Sequence, residues 1–247
     1  FFRQSMGEVH EIQDKHYHIE RRDTPRLEVT DLNVRLPDGR DLVHGLQLQA
    51  APGEHLLIMG ASGSGKSTLI RALAGIWPYG DGAVGLPAGE RPLFLPQRPY
   101  LPMGTLRDVL VYPYGLEDSS DRVLTEALQR VGMGSLIGQL EKTRLWSHTL
   151  SLGEQQRLAF ARILLQKPRW IFLDEASSAL DERAEGELYR LLADALPDSA
   201  IISVGHRSSL WRYHSRCLRL LGGGAWRLED GASGDEAQLA FGHLSPA

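Results

Sequence analysis

Between Gly60 and Ser67 the chain reads Gly60-Ala61-Ser62-Gly63-Ser64-Gly65-Lys66-Ser67, and no other run limits the possible folds as much. It matches GxxxxGK[ST] and has the required context: the apolar run HLLIM at 55–59 reads as a short buried strand before it, and residues 66–74 read as a helix after it. Strand, glycine loop and helix in that order form the phosphate-binding unit of an α/β P-loop fold. Gly60, Gly63 and Gly65 let main-chain N–H groups turn toward an anion, and the helix N-terminus adds partial positive charge. Lys66 is expected to reach the β and γ phosphates of a nucleotide, and Ser67 to ligate Mg²⁺.

Other segments supply groups that such a loop needs. Asp174 ends the apolar run Ile171-Phe172-Leu173, as a carboxylate does at the end of a buried strand, where it binds Mg²⁺ directly or through water. Glu175 follows and is placed to polarise an attacking water. Capping of the next helix is a compatible role for this acidic pair. Gln97, after Leu95-Pro96, offers a side-chain oxygen to Mg²⁺ and water, although alone it reads as a surface glutamine. His206 follows an apolar run and Gly205; by itself it is structural, and in this company it is a candidate γ-phosphate contact.

Leu150-Ser151-Leu152-Gly153-Glu154-Gln155 opens a further helix. Ser151 and Glu154 make a capping box. That box does not require Gly153, and a glycine in the first turn also exposes N–H groups to an anion. Within one compact domain this segment cannot reach the phosphates of its own loop. It therefore reads as the other half of a shared site, completed by a second copy, with Asp181 of Ser178-Ala179-Leu180-Asp181 facing that copy.

Bulk properties fit this reading. With 247 residues, 42% of them hydrophobic, the chain has material for a substantial core. A net charge of -4 and a pI near 6.2 give no support to a nucleic-acid partner. The single cysteine, Cys217, lies in an apolar stretch, excludes an internal disulfide and reads as a buried inert thiol in a reducing compartment. No apolar run approaches the ~20 residues that span a bilayer.

Along the chain, residues 1–25 read as a polar linker or short helix, and His10, His16 and His18 within them as solvated surface. Leu27, Val29, Leu32 and Val34, then Leu42, Leu46 and Leu48, alternate as half-buried strands around a Pro37-Asp38-Gly39 turn. Residues 80–92 read as a Gly/Pro-rich loop around a short strand, followed by a strand at 93–95. Residues 105–166 read as mostly helical, then a strand at 170–173, a helix within 183–196, a strand at 200–204 and a hairpin of 217–221 with 225–228. Residues 229–247 read as loosely ordered.

Together these residues resemble the nucleotide-binding domain of ATP-binding cassette (ABC) proteins over about residues 27–228. The resemblance makes residues 60–68 the Walker A motif, Gln97 the Q-loop glutamine, 150–155 the signature motif and 171–174 Walker B. Glu175 becomes the catalytic glutamate, 178–181 the D-loop and His206 the switch histidine. It implies an ABC-type ATPase with a RecA-like core, an N-terminal antiparallel β subdomain and a helical subdomain at about 98–166. The whole cassette would cover 26–230, between the linker 1–25 and a flexible tail 231–247. Glu175, His206, Gln97 and Lys66 would be catalytic. Gly60, Ala61, Ser62, Gly63, Ser64, Gly65, Lys66, Ser67 and Thr68 would hold ATP, with Ser151, Gly153, Glu154 and Asp181 contributing from a second copy. Ser67, Gln97 and Asp174 would hold Mg²⁺.

The segments 75–80, 95–102 and 104–108 look like the half-transporters of the peroxisomal fatty-acyl subfamily and their bacterial peptide and cobalamin uptake relatives. The resemblance implies a fused or associated transmembrane domain and a place on the cytoplasmic face of a membrane, most readily the bacterial inner membrane. It leads us to expect that Phe1 begins a fragment of a longer chain, and that Arg98–Tyr100 and the segment to Arg107 face the membrane domain. Three departures stand out. Leu152 replaces the usual signature glycine, residues 143–149 lack the TxVGExG pattern, and the adenine-stacking aromatic expected near Leu36 is missing. Leu36 and Pro37, or Tyr17, are the alternatives for that contact.

Overall fold

The structure, a computed structural model, describes residues 18–231. His10, His16 and Tyr17 lie outside them, as does nearly all of the expected C-terminal tail. In chain order the strands are β1 (Glu20–Asp23), β2 (Leu27–Arg35), β3 (Asp41–Ala50), β4 (His55–Gly60), β5 (Gly80–Leu86) and β6 (Leu93–Leu95). Then come β7 (Gly104–Thr105), β8 (Thr143–Arg144), β9 (Trp170–Asp174), β10 (Ala200–Val204), β11 (Arg216–Gly222) and β12 (Ala225–Asp230). The α-helices are α1 (Lys66–Ala74), α2 (Leu106–Val111), α3 (Asp121–Arg130), α4 (Trp146–Thr149), α5 (Leu152–Gln166) and α6 (Glu182–Ala195).

Strands β4, β9 and β10 are near-continuous apolar runs because both of their faces are buried. They lie in a six-stranded sheet of order β12-β11-β4-β10-β9-β6, parallel except for β12. Alternate residues divide between two cores. Leu56, Ile58, Trp170 and Phe172 join α1 and the smaller sheet, whereas Leu57, Met59, Ile171 and Leu173 join the helices α2, α3 and α5. The smaller sheet has the order β1-β5-β2-β3, with β2 antiparallel to both neighbours. Helix α1 packs against β4, β9 and β10 and against β2. It ends at Gly75, which takes φ 87, and Gly75 N–H and Ile76 N–H bond back to Ala72 O and Arg71 O. This is a P-loop NTPase architecture, with the phosphate loop and Asp174 at the carboxyl ends of parallel strands.

Several local expectations change. Residues 20–23, expected in a linker or short helix, form β1, parallel to β5. The strand carries no apolar alternation because all four residues are exposed and main-chain bonds hold it. Arg21 also donates to Ala72 O at 2.6 Å and Leu73 O at 3.2 Å, reinforcing the last carbonyls of α1. In β3 it is Val43, not Leu42, that is buried, because the β2–β3 register shifts on either side of Leu32↔Leu46. Residues 80–86 form a full strand where mostly loop was expected. Gly82, at φ 94, lies so close to Asp31 O that a Cβ would stand 2.3 Å from it. Residues 229 and 230, expected to be loose, complete β12. Cys217 is buried, and burial pushes its thiol up to about 12. Among the described residues no helix is long and apolar enough to cross a membrane.

A buried polar chain links α6 to β10. Tyr189 Oη donates to Ser203 Oγ at 3.1 Å, and Ser203 Oγ lies 3.0 Å from His214 Nε2. His214 Nδ1 lies 2.8 Å from Leu210 O, so it carries the proton and Nε2 accepts. Burial pushes His214 down to about 4, and His55 adds a like-charge contribution. The folded protein therefore holds this imidazole neutral while the unfolded chain protonates it, and stability falls as pH drops from about 6.5 toward about 4. Denaturant unfolding at pH 5 should give about 2 kcal/mol less stability from this group than at pH 7. The His214→Asn protein should show a flatter dependence; equal slopes would exclude His214 as the source.

Candidate functional site

The carboxyl ends of β4, β9 and β10 lie side by side, with Val204 paired to both Ile58 and Asp174. Strand β4 delivers the phosphate loop, β9 delivers Asp174 and Glu175, and β10 delivers His206 two residues after its end. Gly65, at φ 97, turns the loop into α1; a Cβ there would stand 3.0 Å from Leu42 Cβ.

Lys66 is 5% exposed, and its Nζ donates to Gly60 O at 3.0 Å and Ala61 O at 2.8 Å. Burial lowers its pKa, opposed by the negative charges of Glu175 and Asp174. An ammonium has three donors, so this lysine keeps one for an anion above the loop. Ser67 Oγ donates to Asp174 Oδ1 at 2.6 Å, and Arg71 Nη2 donates to Asp174 Oδ2 at 3.1 Å. Asp174 is almost wholly buried. Glu175 adopts φ 53, a left-handed value that costs a side chain of this kind about 1 kcal/mol or more. That turn carries its Oε1 to 2.5 Å from His206 Nε2.

A cavity of about 310 Å³ collects these groups: Ser62, Gly63, Gly65, Lys66, Ser67 and Thr68 with Glu175 and His206. Leu36, Arg40 and Leu42 line it as well. Leu36 was foreseen as an apolar contact for a base. Arg40 was not, although its place just after the Pro37-Asp38-Gly39 turn was a usable signal. Ser64 Oγ is buried without a hydrogen-bond partner. A lysine donor and a glycine-lined loop, both on the cavity wall, are donors of the kind a polyphosphate takes. No group of three or more metal-ligating side chains occurs among the described residues. A hydroxyl beside one buried carboxylate suits Mg²⁺ that takes its other ligands from phosphate and water.

Other expected residues do not line this cavity. Ser151 is the N-cap of α5, in a complete capping box with Glu154. Gly153 packs beside Ala179 O and Leu180, each 3.4 Å from where a Cβ would stand. Asp181 is the N-cap of α6, accepting from Ala184 N at 2.8 Å. Gln97 turns its side-chain amide to Ser178 Oγ at 3.4 Å.

One residue joining these segments was missed. Gln156 is fully buried; its Nε2 donates to Gln97 O at 2.9 Å and Ser178 Oγ at 3.3 Å, and its Oε1 accepts from Ala179 N at 3.0 Å. The available signal was its spacing from the apolar residues Phe160 and Ile163, four and seven positions on, which puts it on the buried helix face. Gln156→Leu should lower stability by about 2–4 kcal/mol, because it strands a buried carbonyl and N–H. Urea unfolding measures this; a loss under about 0.5 kcal/mol would show these bonds to be dispensable.

The family model described as ABC transporter matches residues 43–178, more than half of the chain. An uncharacterised ABC transporter ATP-binding protein of Synechocystis (sll0182) is 48% identical over 192 residues, 76% of this chain and 29% of that protein. The human lysosomal cobalamin transporter ABCD4 is 40% identical over 203 residues, 76% of this chain and 33% of that protein. The chain thus spans about a third of the length of these relatives. A bacterial Atm1-family ABC exporter solved with ATP bound superposes with a TM-score of 0.73 at 24% identity, covering 92% of this chain and 44% of that one. This last likeness bears on the fold.

Proposed function

We propose, since this chain belongs to the ABC transporter family as an ATP-binding domain with ATPase activity, that its working unit is a pair of copies closed around two MgATP. The observation that carries this reading is the split between the phosphate-loop cavity and the exposed start of α5. Ser151, Gly153 and Glu154 lie outside the cavity of their own chain, so a second copy is needed to bring them to the γ-phosphate.

In this reading the free donor of Lys66 binds the β and γ phosphates, while the loop N–H groups orient them. Ser67 and Asp174 would hold Mg²⁺, which neutralises phosphate charge when bound. Arg71 keeps the Asp174 carboxylate oriented toward Ser67. Glu175 accepts the proton of the attacking water. His206 positions Glu175 through Nε2 and bonds the γ-phosphate. Gln97, on the loop between β6 and β7 and bonded here to Ser178 Oγ, would offer its side-chain oxygen to the metal and the water.

We read the work as passing to a fused or associated transmembrane domain at the cytoplasmic face of a membrane, with the bacterial inner membrane as the expected setting. A groove of about 380 Å³ supports this. It is walled by Ile76, Phe94, Pro99, Tyr100 and Tyr112, with the buried guanidinium of Arg162 at its base, and it offers an apolar seat to a cytoplasmic loop. No nucleic-acid partner enters the reading. Light scattering of the Glu175→Gln protein should show a shift from monomer to dimer on adding MgATP. Ser151→Arg in the same background should abolish it. A dimer that persists with Ser151→Arg would remove α5 from the shared site.

A further inference from the structure

Glu185 lies one turn into α6, 3% exposed, and it contacts neither the phosphate loop nor the cavity. Its two oxygens are bonded to different loops. Ser177 Oγ donates to Oε1 at 2.5 Å, and Arg207 Nη1 donates to Oε2 at 3.1 Å. Ser177 stands two residues after Glu175, and Arg207 follows His206. One buried carboxylate thus ties the loop after β9 to the loop after β10, each within two residues of a member of the 2.5 Å Glu175–His206 pair.

An ion pair between the buried Glu185 and the half-exposed Arg207 is a poor way to gain stability, since taking the carboxylate out of water offsets much of its attraction to a partner that water still screens. What a carboxylate provides here is direction. Two strong hydrogen bonds, one per oxygen, fix both loops relative to one rigid helix. Glu175 needs such support, because its left-handed φ of 53 persists only where the surroundings enforce it.

Resting on the catalytic reading of Glu175 and His206 above, we infer that Glu185 is a positioning residue for ATP hydrolysis. Through Ser177 and Arg207 it holds the Glu175 carboxylate against His206 Nε2, and it acts on the chemical step, not on ATP binding. Glu185→Gln keeps the shape and an acceptor for Ser177 but loses the charge that orders Arg207.

The test is steady-state ATPase on the full-length protein, reading kcat and KM for ATP separately. Glu185→Gln should lower kcat by about 10- to 100-fold, the penalty for misplacing a reacting group by about an ångström, with KM changed less than about twofold. Arg207→Ala should reproduce the loss and Arg207→Lys should restore most of the rate. In a His206→Ala background Glu185→Gln should bring no further loss, whereas a purely structural role would add to it. An unchanged kcat, a matched change in KM, or full additivity with His206→Ala overturns the proposal. If Glu185→Gln does not fold, the Arg207 pair decides alone. Glu175→Gln serves as the control: undiminished turnover there would mean that the catalytic reading has failed, whereas its loss beside a normal Glu185→Gln would overturn this inference only.

Discussion

Lys66→Ala should abolish ATP turnover, leaving less than about 1% of the parent rate, since removing one preorganised donor from a reacting phosphate costs about 10²–10³. The structure gives the reason in detail. The ammonium is held over the loop by Gly60 O and Ala61 O, so its remaining proton has one place to go. Burial makes that charge more valuable, because less water competes for the phosphate. Nucleotide affinity should fall as well, and calorimetric titration with ATP would measure it. Lys66→Met is the companion variant, since it keeps the buried stem without the charge and separates packing from electrostatics. If Lys66→Met hydrolyses ATP at the parent rate, the lysine is structural and the phosphate-loop assignment fails.

Glu175→Gln should lower the rate of hydrolysis by about 10²–10⁴, the usual contribution of a general base. Binding of ATP should survive, because the amide keeps the shape and an oxygen within reach of His206. A single-turnover experiment would separate the two effects, with nucleotide retained on the protein and phosphate release nearly stopped. The opposite pattern, weak binding with normal turnover of what binds, would show that Glu175 serves the nucleotide and not the water.

The parts of this molecule that are legible in its sequence depend on local backbone requirements or on complete burial. The phosphate loop is legible because its glycines answer a conformational demand wherever the loop occurs. Strands β4, β9 and β10 are legible because burial on both faces leaves a near-continuous apolar run, and helix α1 begins and ends where Lys66 and Gly75 place its termini. Strand β1 is not, because it is exposed and held by main-chain pairing with β5, which side chains do not encode. The identity of the buried residue in β3 turns on register shifts relative to β2, and alternation alone offers Leu42 as readily as Val43.

At the site the same division holds. Lys66 and Ser67 follow from motif spacing, Asp174 and Glu175 from the end of an apolar run, and His206 from the company of the others, and they meet around one cavity or one hydrogen bond of it. Arg71 and Glu185 do not follow in this way, since an arginine and a glutamate in helices look like ordinary helix formers until their partners are known, and for Gln156 the spacing from Phe160 and Ile163 gives burial but not partners. The roles proposed for Ser151 and Gly153 depend on a surface between molecules, which lies outside what one chain can display.

The burial of Cys217 has a practical consequence. With burial pushing its thiol up to about 12, very little of it carries the thiolate at pH 7. It is the sole cysteine in the 247 residues. The native chain is thus close to a silent background for thiol-directed chemistry. A cysteine placed at an exposed position such as Met103 or Leu145 would take a fluorophore or spin label by itself. Distances across the proposed pair of copies would then be measurable without first re-engineering the protein's interior.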